Sequence, residues 1–455
     1  MRWLLTAACI VCVSSVVGTA VAEDSAADLR NQNGQLQEQL KALTTRLDEL
    51  EKRQPAPEES LQQRIAALEQ KLGDEKSKPV AGWDGKFFIE SPKGDFRMNF
   101  SAYTQFDGRF PSNGPSRSSD AFLFRRIRPS IDGRIAENYE YKLQMDFAGN
   151  KATVYDAFLN LHYVDEAQVK IGNFKTPFSL EQLVSSTSLR LIERSPLNAL
   201  VPKYRLGVMV WGNPALSEGN SGVLDYSLGL FNGRQPGSFM PAGRLALDLS
   251  KAQNLGLLHC FTVGVNAALD HDAGATVAGD TIKTDLQTTF FDYAAGTVSS
   301  GDHTLAGADL GFWRGPFGFM AEYVTSRQEL ANGAASDTVT NDAWYAQASY
   351  VLTGEQATIK GVKPKNDFNP GKGTWGALEI AGRYAVLKVD DTAFSSGFAK
   401  AGSARSADIT TVGVNWYLNK HIELMLDYVH SEFGAPLGSG ADSEDGAISR
   451  LQLSF

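Results

Sequence analysis

The chain has 455 residues, of which 43% are hydrophobic and 21% charged, and its formal net charge is −9. An acidic chain is poorly suited to the phosphate backbone of nucleic acids, so we expect no nucleic acid among its partners. Two of its three cysteines, Cys9 and Cys12, lie within the first dozen residues, which leaves Cys260 without an intrachain disulfide partner after processing. The length allows either one large β domain or two or three smaller domains.

The first 22 residues have the pattern of a secretory signal peptide. Arg2 precedes an apolar run from Trp3 to Val17, and Ala20-Val21-Ala22 matches a small-residue cleavage motif. A transmembrane anchor is the alternative, but the run is shorter than the ~20 apolar residues of a spanning helix. We therefore predict a signal peptide over residues 1–22. Because no later stretch is apolar enough to span a membrane as a helix, the exported chain is either soluble or a transmembrane β-barrel.

A helical arm is predicted over residues 23–78. Leucines recur there with spacings of seven, four, three, four and three, which mark the a and d positions of a coiled coil; they are Leu29, Leu36, Leu40, Leu43, Leu47 and Leu50. The motif QPAPEES interrupts this helix, and Leu61, Ile65, Leu68 and Leu72 then resume the seam. We predict a coiled coil that is either a dimer or a trimer, with a single amphipathic helix packed on the domain as the alternative.

From about residue 86 the hydrophobic period changes from 3.5 to 2. The runs MNFSAYTQFDGRF, YKLQMDF, AFLNLHY, VGVNWYL and IELMLDYV all alternate between apolar and polar residues. There are about seventeen such runs of roughly 8–14 residues, and the weakest lies between Thr281 and Tyr293. A single-chain bacterial barrel normally has an even number of strands, so one of these runs is misassigned or one strand is missing.

Three features favour a membrane barrel over a soluble sandwich or propeller. The strands reach the ~9–11 residues that a tilted strand needs to cross a bilayer. Their polar faces carry many charges, which suits a water-filled lumen. The chain ends AISRLQLSF, with the terminal Phe455 on the apolar face, as in bacterial outer-membrane proteins. The fold class predicted is therefore all-β, a transmembrane antiparallel barrel over residues 79–455.

The basic segment, Asn173 to Gly207, interrupts this strand pattern. It contains three prolines and does not alternate, and a loop of this length in a compact domain is usually functional. Its acids are outnumbered by its basic residues, which are Lys175, Arg190, Arg194, Lys203 and Arg205. Ser179 to Gln182 match a capping box, which predicts a short helix with Ser179 as N-cap and Gln182 reaching back to it.

Motifs of catalysis are missing from the sequence. There is no H-E-x-x-H, G-x-S-x-G or Walker loop, and GKGTWG from Gly371 to Gly376 precedes an apparent strand rather than a helix. The six histidines show no ligand spacing. We predict that the protein is not an enzyme and has no cofactor or metal site; a barrel hydrolase is a remote alternative.

The chain resembles the phosphate-selective porin O and P family from about Trp83 to Phe455. The resemblance rests on FLFRRIRPSIDGRI, YKLQMDFAG, DAFLNLHY, GNFKTPFSLEQLVSS, LIERSPLNAL and the closing strands. It implies a barrel of about 16 strands, trimeric, in the outer membrane of a Gram-negative bacterium, with the arm in the periplasm. It also implies passage of small anions such as phosphate, with the basic segment folded into the lumen.

Several site residues follow from that resemblance, residue by residue. Arg125 and Arg126 match the paired pore arginines, and Arg194 matches an arginine of the constriction. The hydroxyls of the binding site correspond to Ser185 and Ser186, and a lumenal acid corresponds to Asp156.

Two positions depart from the phosphate-selective pattern. Gln182 stands where those members have a lysine, and Arg128 stands where they have a tyrosine. We therefore expect a pore for small anions in general rather than one strictly selective for phosphate.

The orientation of the arginines is predicted from strand parity. Arg126 and Arg128 share parity with Ser130 and should face the lumen, whereas Arg125 has the other parity. Arg125 therefore lies above the membrane, or Pro129 marks a bulge that shifts the pattern. Together with Lys175 and Arg190, these arginines are predicted to form a selectivity filter. The alternative is that they pair structurally with loop acids.

A different class of function is also compatible with the sequence. The arm over residues 23–78 could contact the cell wall, which would make the protein chiefly a structural tether of the outer membrane.

Overall fold

The computed structural model describes residues 25–53, 63–68, 78–115, 120–215, 222–252, 255–435 and 437–455. The predicted signal peptide lies outside these residues. The chain divides into two compact units, Met1–Lys78 and Pro79–Phe455.

The first unit contains helix α1, Ser25–Arg53, and a second helical stretch, residues 63–68. The seam side chains described in α1 are exposed, from 56% for Leu47 to 63% for Leu43. Within the described residues, no helix is both long and apolar enough to cross a membrane. A coiled-coil partner for this exposed stripe remains a prediction.

The second unit is built almost entirely of β-strands. In chain order they are β1 (Val80–Trp83), β2 (Phe87–Glu90), β3 (Phe96–Asn113), β4 (Ala121–Ile135), β5 (Tyr139–Asp146), β6 (Thr153–Val164), β7 (Ala167–Lys175), β8 (Tyr204–Gly212), β9 (Leu224–Asn232), β10 (Phe239–Asp248), β11 (Phe261–His271), β12 (Ile282–Lys283), β13 (Thr289–Phe291), β14 (Val298–Arg314), β15 (Phe317–Asn332), β16 (Ala335–Val351), β17 (Ala377–Lys388), β18 (Ser406–Tyr417), β19 (Ile422–Phe433) and β20 (Ser443–Ser454). Short helices occupy Leu180–Leu183 and Asp391–Ser395, and 3-10 turns occupy Ala148–Asn150, Pro196–Ala199, Leu249–Lys251, Gly256–Cys260 and Pro370–Lys372.

Sixteen of these strands form one closed antiparallel barrel, as the sequence predicts. Strands β3 to β11 and β14 to β20 pair with their neighbours in order, and β20 returns to pair with β3. Closure is seen in the partners Ala447 with Phe110 and Leu451 with Phe106. Because every wall strand has two partners, the wall has no free edge to expose to lipid.

Two strand pairs lie outside the wall. The β1–β2 hairpin extends the sheet by pairing β2 with the first residues of β3. The β12–β13 pair is a separate two-stranded sheet within residues 272–297. The weakly alternating run between Thr281 and Tyr293 is therefore no barrel strand, which accounts for the odd count of runs in the sequence.

Alternation along each strand separates lipid-facing from lumenal side chains. In β19, Leu424, Leu426 and Tyr428 are exposed on the outer face, whereas Glu423 and Asp427 are buried inside. This is the reverse of a soluble protein and fits an apolar outer surface around a polar interior.

Candidate functional site

The part of the basic segment between β7 and β8, residues 176–203, is named here the inner loop. The Ile192 amide of this loop donates to Asp427 Oδ2 on β19 at 2.6 Å. Arg450 Nη1 on β20 donates to the Ile192 carbonyl, also at 2.6 Å. Since β19 and β20 lie far around the barrel from β7 and β8, the inner loop crosses the lumen.

A third anchor ties the inner loop to β17. Arg383 donates through Nη1 to the Glu193 carbonyl at 3.0 Å and to Glu181 Oε1 at 3.2 Å. Through Nη2 it donates to Asp285 Oδ2 at 2.6 Å, and Thr411 Oγ1 donates to the same oxygen at 2.7 Å. Asp285 belongs to the segment between β11 and β14, so a second loop also enters the lumen and meets the first at Arg383.

The short helix predicted at the start of the inner loop is present at Leu180–Leu183. Ser179 is its N-cap, and Ser179 Oγ accepts a hydrogen bond from the Gln182 amide at 3.2 Å. The Gln182 side chain does not reach back, because its Oε1 accepts instead from Asn198 Nδ2 at 3.0 Å. One of the two hydrogen bonds of the capping box is thus formed, and the buried Gln182 side chain makes its hydrogen bond within the inner loop instead.

Glu193 joins the inner loop to a cluster of arginines on the wall. Its carboxylate accepts from Arg109 at 2.8 Å and from Arg125 at 2.7 and 3.2 Å, and Arg450 lies 3.9 Å away. Burial alone would raise the pKa of Glu193, but the charge and hydrogen bonds of Arg125, with the charges of Arg126 and Arg450, hold that pKa below its usual value. Glu193 therefore stays ionised and serves as a shared counter-ion.

Arg125 reaches Glu193 because β4 carries a bulge at that residue. Gln105 pairs with Arg126 and Phe106 pairs with Phe124, so Arg125 is the extra residue between the two pairs. Strand parity left two explanations for Arg125, a place above the membrane or a bulge in β4, and the structure shows a bulge. The bulge lies at Arg125 itself and not at Pro129, where the register is regular, and it turns two consecutive arginines inward.

Two of the predicted pore arginines are neutralised by wall carboxylates. Arg128 Nε lies 2.7 Å from Asp146 Oδ2, and Arg190 Nε lies 2.9 Å from Glu379 Oε1. Arg190 also donates to the Thr358 carbonyl, which ties the inner loop to the long turn after β16. For these two residues the geometry fits structural pairing.

Three other residues that the sequence predicts to line the pore have no carboxylate within ion-pair distance among the described residues. Arg126 donates to Gln105 Oε1 at 2.6 Å. Arg194 donates to backbone carbonyls of the inner loop at 3.0 and 2.8 Å, and Lys175 donates to two such carbonyls at 3.1 and 2.9 Å. Their positive charge is therefore not cancelled locally.

Four predicted residues besides Arg128 border a lumenal cavity of about 430 Å³ against the inner loop. Its lining includes Lys175, Ser185 and Ser186, and also Asp156, which forms an ion pair of 2.7 Å with Lys142. A second cavity of about 680 Å³ is lined by Lys203, Arg205 and Arg234 together with Asp270 and Asp280. Among the described lining residues, the two cavities share Tyr204.

The other predicted residues are not among the described side chains that line these two cavities; they are Arg125, Arg126, Gln182, Arg190 and Arg194.

Sequence reasoning missed two lysines of the first cavity, Lys142 and Lys170. The signal was available, because Lys170 has the parity of the buried Gln168 on β7, and Lys142 has that of Gln144 on β5.

Comparison with known proteins agrees with this architecture. The family model "Phosphate-selective porin O and P" matches residues 95–455. Porin O of Pseudomonas aeruginosa is 27% identical over 398 residues, which are 78% of this chain and 86% of that protein.

Among solved structures, the fold is similar to the trimer form of OmpT from Vibrio cholerae, with a TM-score of 0.51 and 9% identity over 79% of this chain and 99% of that chain. An anion-selective porin from Comamonas acidovorans gives a TM-score of 0.50 with 9% identity and the same coverage. The chain therefore belongs to the phosphate-selective porin O and P family, and it is an outer-membrane channel rather than an enzyme.

Proposed function

We propose that the protein forms a water-filled channel for passive diffusion of small anions, narrowed by the inner loop. The observation that carries this proposal is a set of lumenal cations with no carboxylate within ion-pair distance among the described residues. They are Arg126, Lys170, Lys175, Arg194 and Lys203.

The expected preference for anions depends on the charges inside the lumen and not on the net charge of the chain. The whole chain carries a formal charge of −9, which would repel anions if charge were spread evenly. Inside a narrow lumen with low-dielectric walls, uncompensated cations focus a positive potential and raise the local anion concentration. Lys175 and Arg194 lie in or beside the inner loop, and Lys203 ends it, so this potential is concentrated where the loop crosses the lumen.

Phosphate is one anion of this class, and the family description supports its inclusion. Gln182 supports a broader range, because its carboxamide is engaged with Asn198 and supplies no cation to the lumen. Arg128 adds a cation at the first cavity, but Asp146 offsets its charge. We infer a general small-anion pore in which phosphate competes with other anions.

A homotrimer is the assembly that fits this function, with the arm in the periplasm. The trimer form of OmpT supports the stoichiometry through the shared fold. The exposed leucine seam of α1 is suited to pack against copies of itself in the same stoichiometry.

The direct test is recording from purified protein in planar bilayers. With a potassium chloride gradient across the bilayer, the reversal potential should have the sign of an anion-preferring channel. Adding phosphate should reduce the chloride current as phosphate occupies the lumen. A reversal potential of the cation-preferring sign would contradict the proposal.

A second candidate function is tethering of the outer membrane to the cell wall through residues 23–78. It is favoured by the apolar stripe of α1, whose described leucine side chains are exposed. Sedimentation with isolated cell wall tests it: full-length protein should co-sediment, and protein lacking Glu23 to Lys78 should not. Equal sedimentation of the two proteins would exclude the tether.

A further inference from the structure

Lys170 occupies an unusual setting on the inner face of β7. Its Nζ lies 4.8 Å from the ring centroid of Phe158, 4.8 Å from that of Trp211 and 5.6 Å from that of Phe174. Among the described residues it has no hydrogen-bond acceptor or carboxylate partner of the kind that Lys142 has in Asp156. Three ring faces hold this ammonium by cation–π attraction, and its charge remains available to the lumen.

The rings around Lys170 are fixed by their neighbours. Trp211 Nε1 donates to Asn160 Oδ1 at 2.9 Å, which sets the orientation of the indole. Phe158 meets Phe174 edge to face with centroids 6.0 Å apart, and Phe174 meets Phe231 in the same way at 5.5 Å. The aromatic surface is therefore preorganised and not the product of one mobile side chain.

This aromatic surface forms one side of the cavity of about 430 Å³. Met209 adds to the apolar part of the lining, and Lys175, Ser185 and Ser186 add an ammonium and two hydroxyls. The volume lies within the range of small-molecule sites, which combine apolar walls with a few convergent polar groups. Asp156 is the one acidic residue among the described lining residues, and Lys142 pairs with it, so ring faces and cationic groups dominate the cavity. Such a lining is suited to a ligand that has an apolar body and an anionic group.

A small inorganic anion gains no binding energy from contact with the aromatic rings of this cavity. Phosphate and chloride are hydrated all round, and contact with ring faces would remove water without replacing its hydrogen bonds. An anion with an aromatic body places its charge near Lys170 and Lys175 while its ring packs against Phe158 and Trp211.

We propose that this cavity binds aromatic carboxylates and admits them in preference to aliphatic carboxylates of the same charge. The preference for permeation rests on the proposed anion channel; binding in the cavity does not require conduction. The site is formed by Lys170, Phe158, Phe174 and Trp211 on the wall, together with Lys175 at the end of β7.

The experiment compares benzoate with acetate, which differ in the ring and share the carboxylate. Benzoate added to the wild-type channel should reduce the chloride current at concentrations where acetate has little effect. Calorimetric titration of the detergent-solubilised protein should likewise give heat of binding for benzoate and little for acetate. Equal behaviour of the two anions in both measurements would overturn the proposal.

Variants then locate the site. Trp211→Leu and Phe158→Leu each remove one ring face and should weaken benzoate binding roughly 2- to 10-fold, with a smaller effect on acetate. Trp344→Leu is the matched control, because Trp344 is exposed on the outer face of β16 and its loss should leave benzoate binding unchanged. If both ring variants bind benzoate as tightly as the control, benzoate binds elsewhere and this assignment is wrong.

The two proposals fail in distinguishable ways. A protein that binds benzoate in the titration but gives no current in bilayers refutes the channel and keeps the site. A protein that conducts chloride but does not distinguish benzoate from acetate refutes the site and keeps the channel.

Discussion

Neutralising the unpaired arginines of the lumen should lower the preference for anions without unfolding the barrel. The perturbation is Arg126→Gln and Arg194→Gln, singly and together. Arg126 is hydrogen-bonded to Gln105, and Arg194 is hydrogen-bonded to loop carbonyls, so neither substitution strands a buried carboxylate. The ladder of the sixteen wall strands is untouched, and the temperature at which the barrel unfolds should stay the same.

The magnitude follows from Coulomb's law in a wet pore. A unit charge about 7 Å from a passing ion contributes about 0.6 kcal/mol in water, and about 0.25 kcal/mol with screening at physiological salt. Anion and cation shift in opposite directions, so the permeability ratio changes by about 0.5 to 1.2 kcal/mol, or about 2- to 7-fold per arginine. The double variant should change it about 5- to 50-fold if the two charges act independently.

The assay is the reversal potential in a potassium chloride gradient, with gel mobility after stepwise heating as the measure of barrel stability. Arg405→Gln is the control, because it removes the same charge from an exposed ion pair with Asp391, which contributes little to stability. If the double variant keeps the wild-type permeability ratio, as Arg405→Gln should, these arginines do not control ion choice.

Three further perturbations test the inner loop and the arm. Glu193→Gln removes the counter-ion shared by three arginines, so anion preference should rise. Heat resistance should fall, since loss of one buried partner costs about 3–5 kcal/mol. An unchanged reversal potential and an unchanged melting temperature would contradict this role of Glu193. The pKa of Lys203 is lowered, because protein atoms inside the barrel displace part of its water and because Arg194 and Arg125 carry like charges. Lys203 should therefore lose its charge below the pH at which an ordinary lysine does, and anion preference should already decline as the pH approaches the ordinary lysine pKa of about 10.4 from below. Lys203→Arg should abolish this decline, and persistence of the decline would assign it to another group. Deletion of Glu23 to Lys78 should leave a trimer in mild detergent, because we expect the barrel walls to supply most contacts between subunits; a monomer by light scattering would make the arm the oligomerisation device.

The alternation of residues along the sequence determined the barrel wall and part of the lining of the lumen. Alternation with period 2 gave the barrel, because successive side chains of a strand must face lipid and lumen in turn. The same parity placed Arg126 and Arg128 inside, where both are buried. The N-cap at Ser179 was predicted because a hydroxyl and an amide three residues apart meet at a helix start, whatever surrounds them.

Partners distant in sequence could not be derived in this way, and they decide which cations remain available. Arg190 is neutralised by Glu379, and Arg128 by Asp146, through the pairing of loops and strands around a closed barrel. Arg125 points inward despite its strand parity, because a single bulge shifts the register, and the sequence does not show where this bulge lies. Lys170 was not predicted as a site residue, because the rings that surround it come from three different strands. The sequence by itself therefore determined the barrel and its supply of positive charge, whereas tertiary contacts alone decided which of those charges have a carboxylate partner among the described residues.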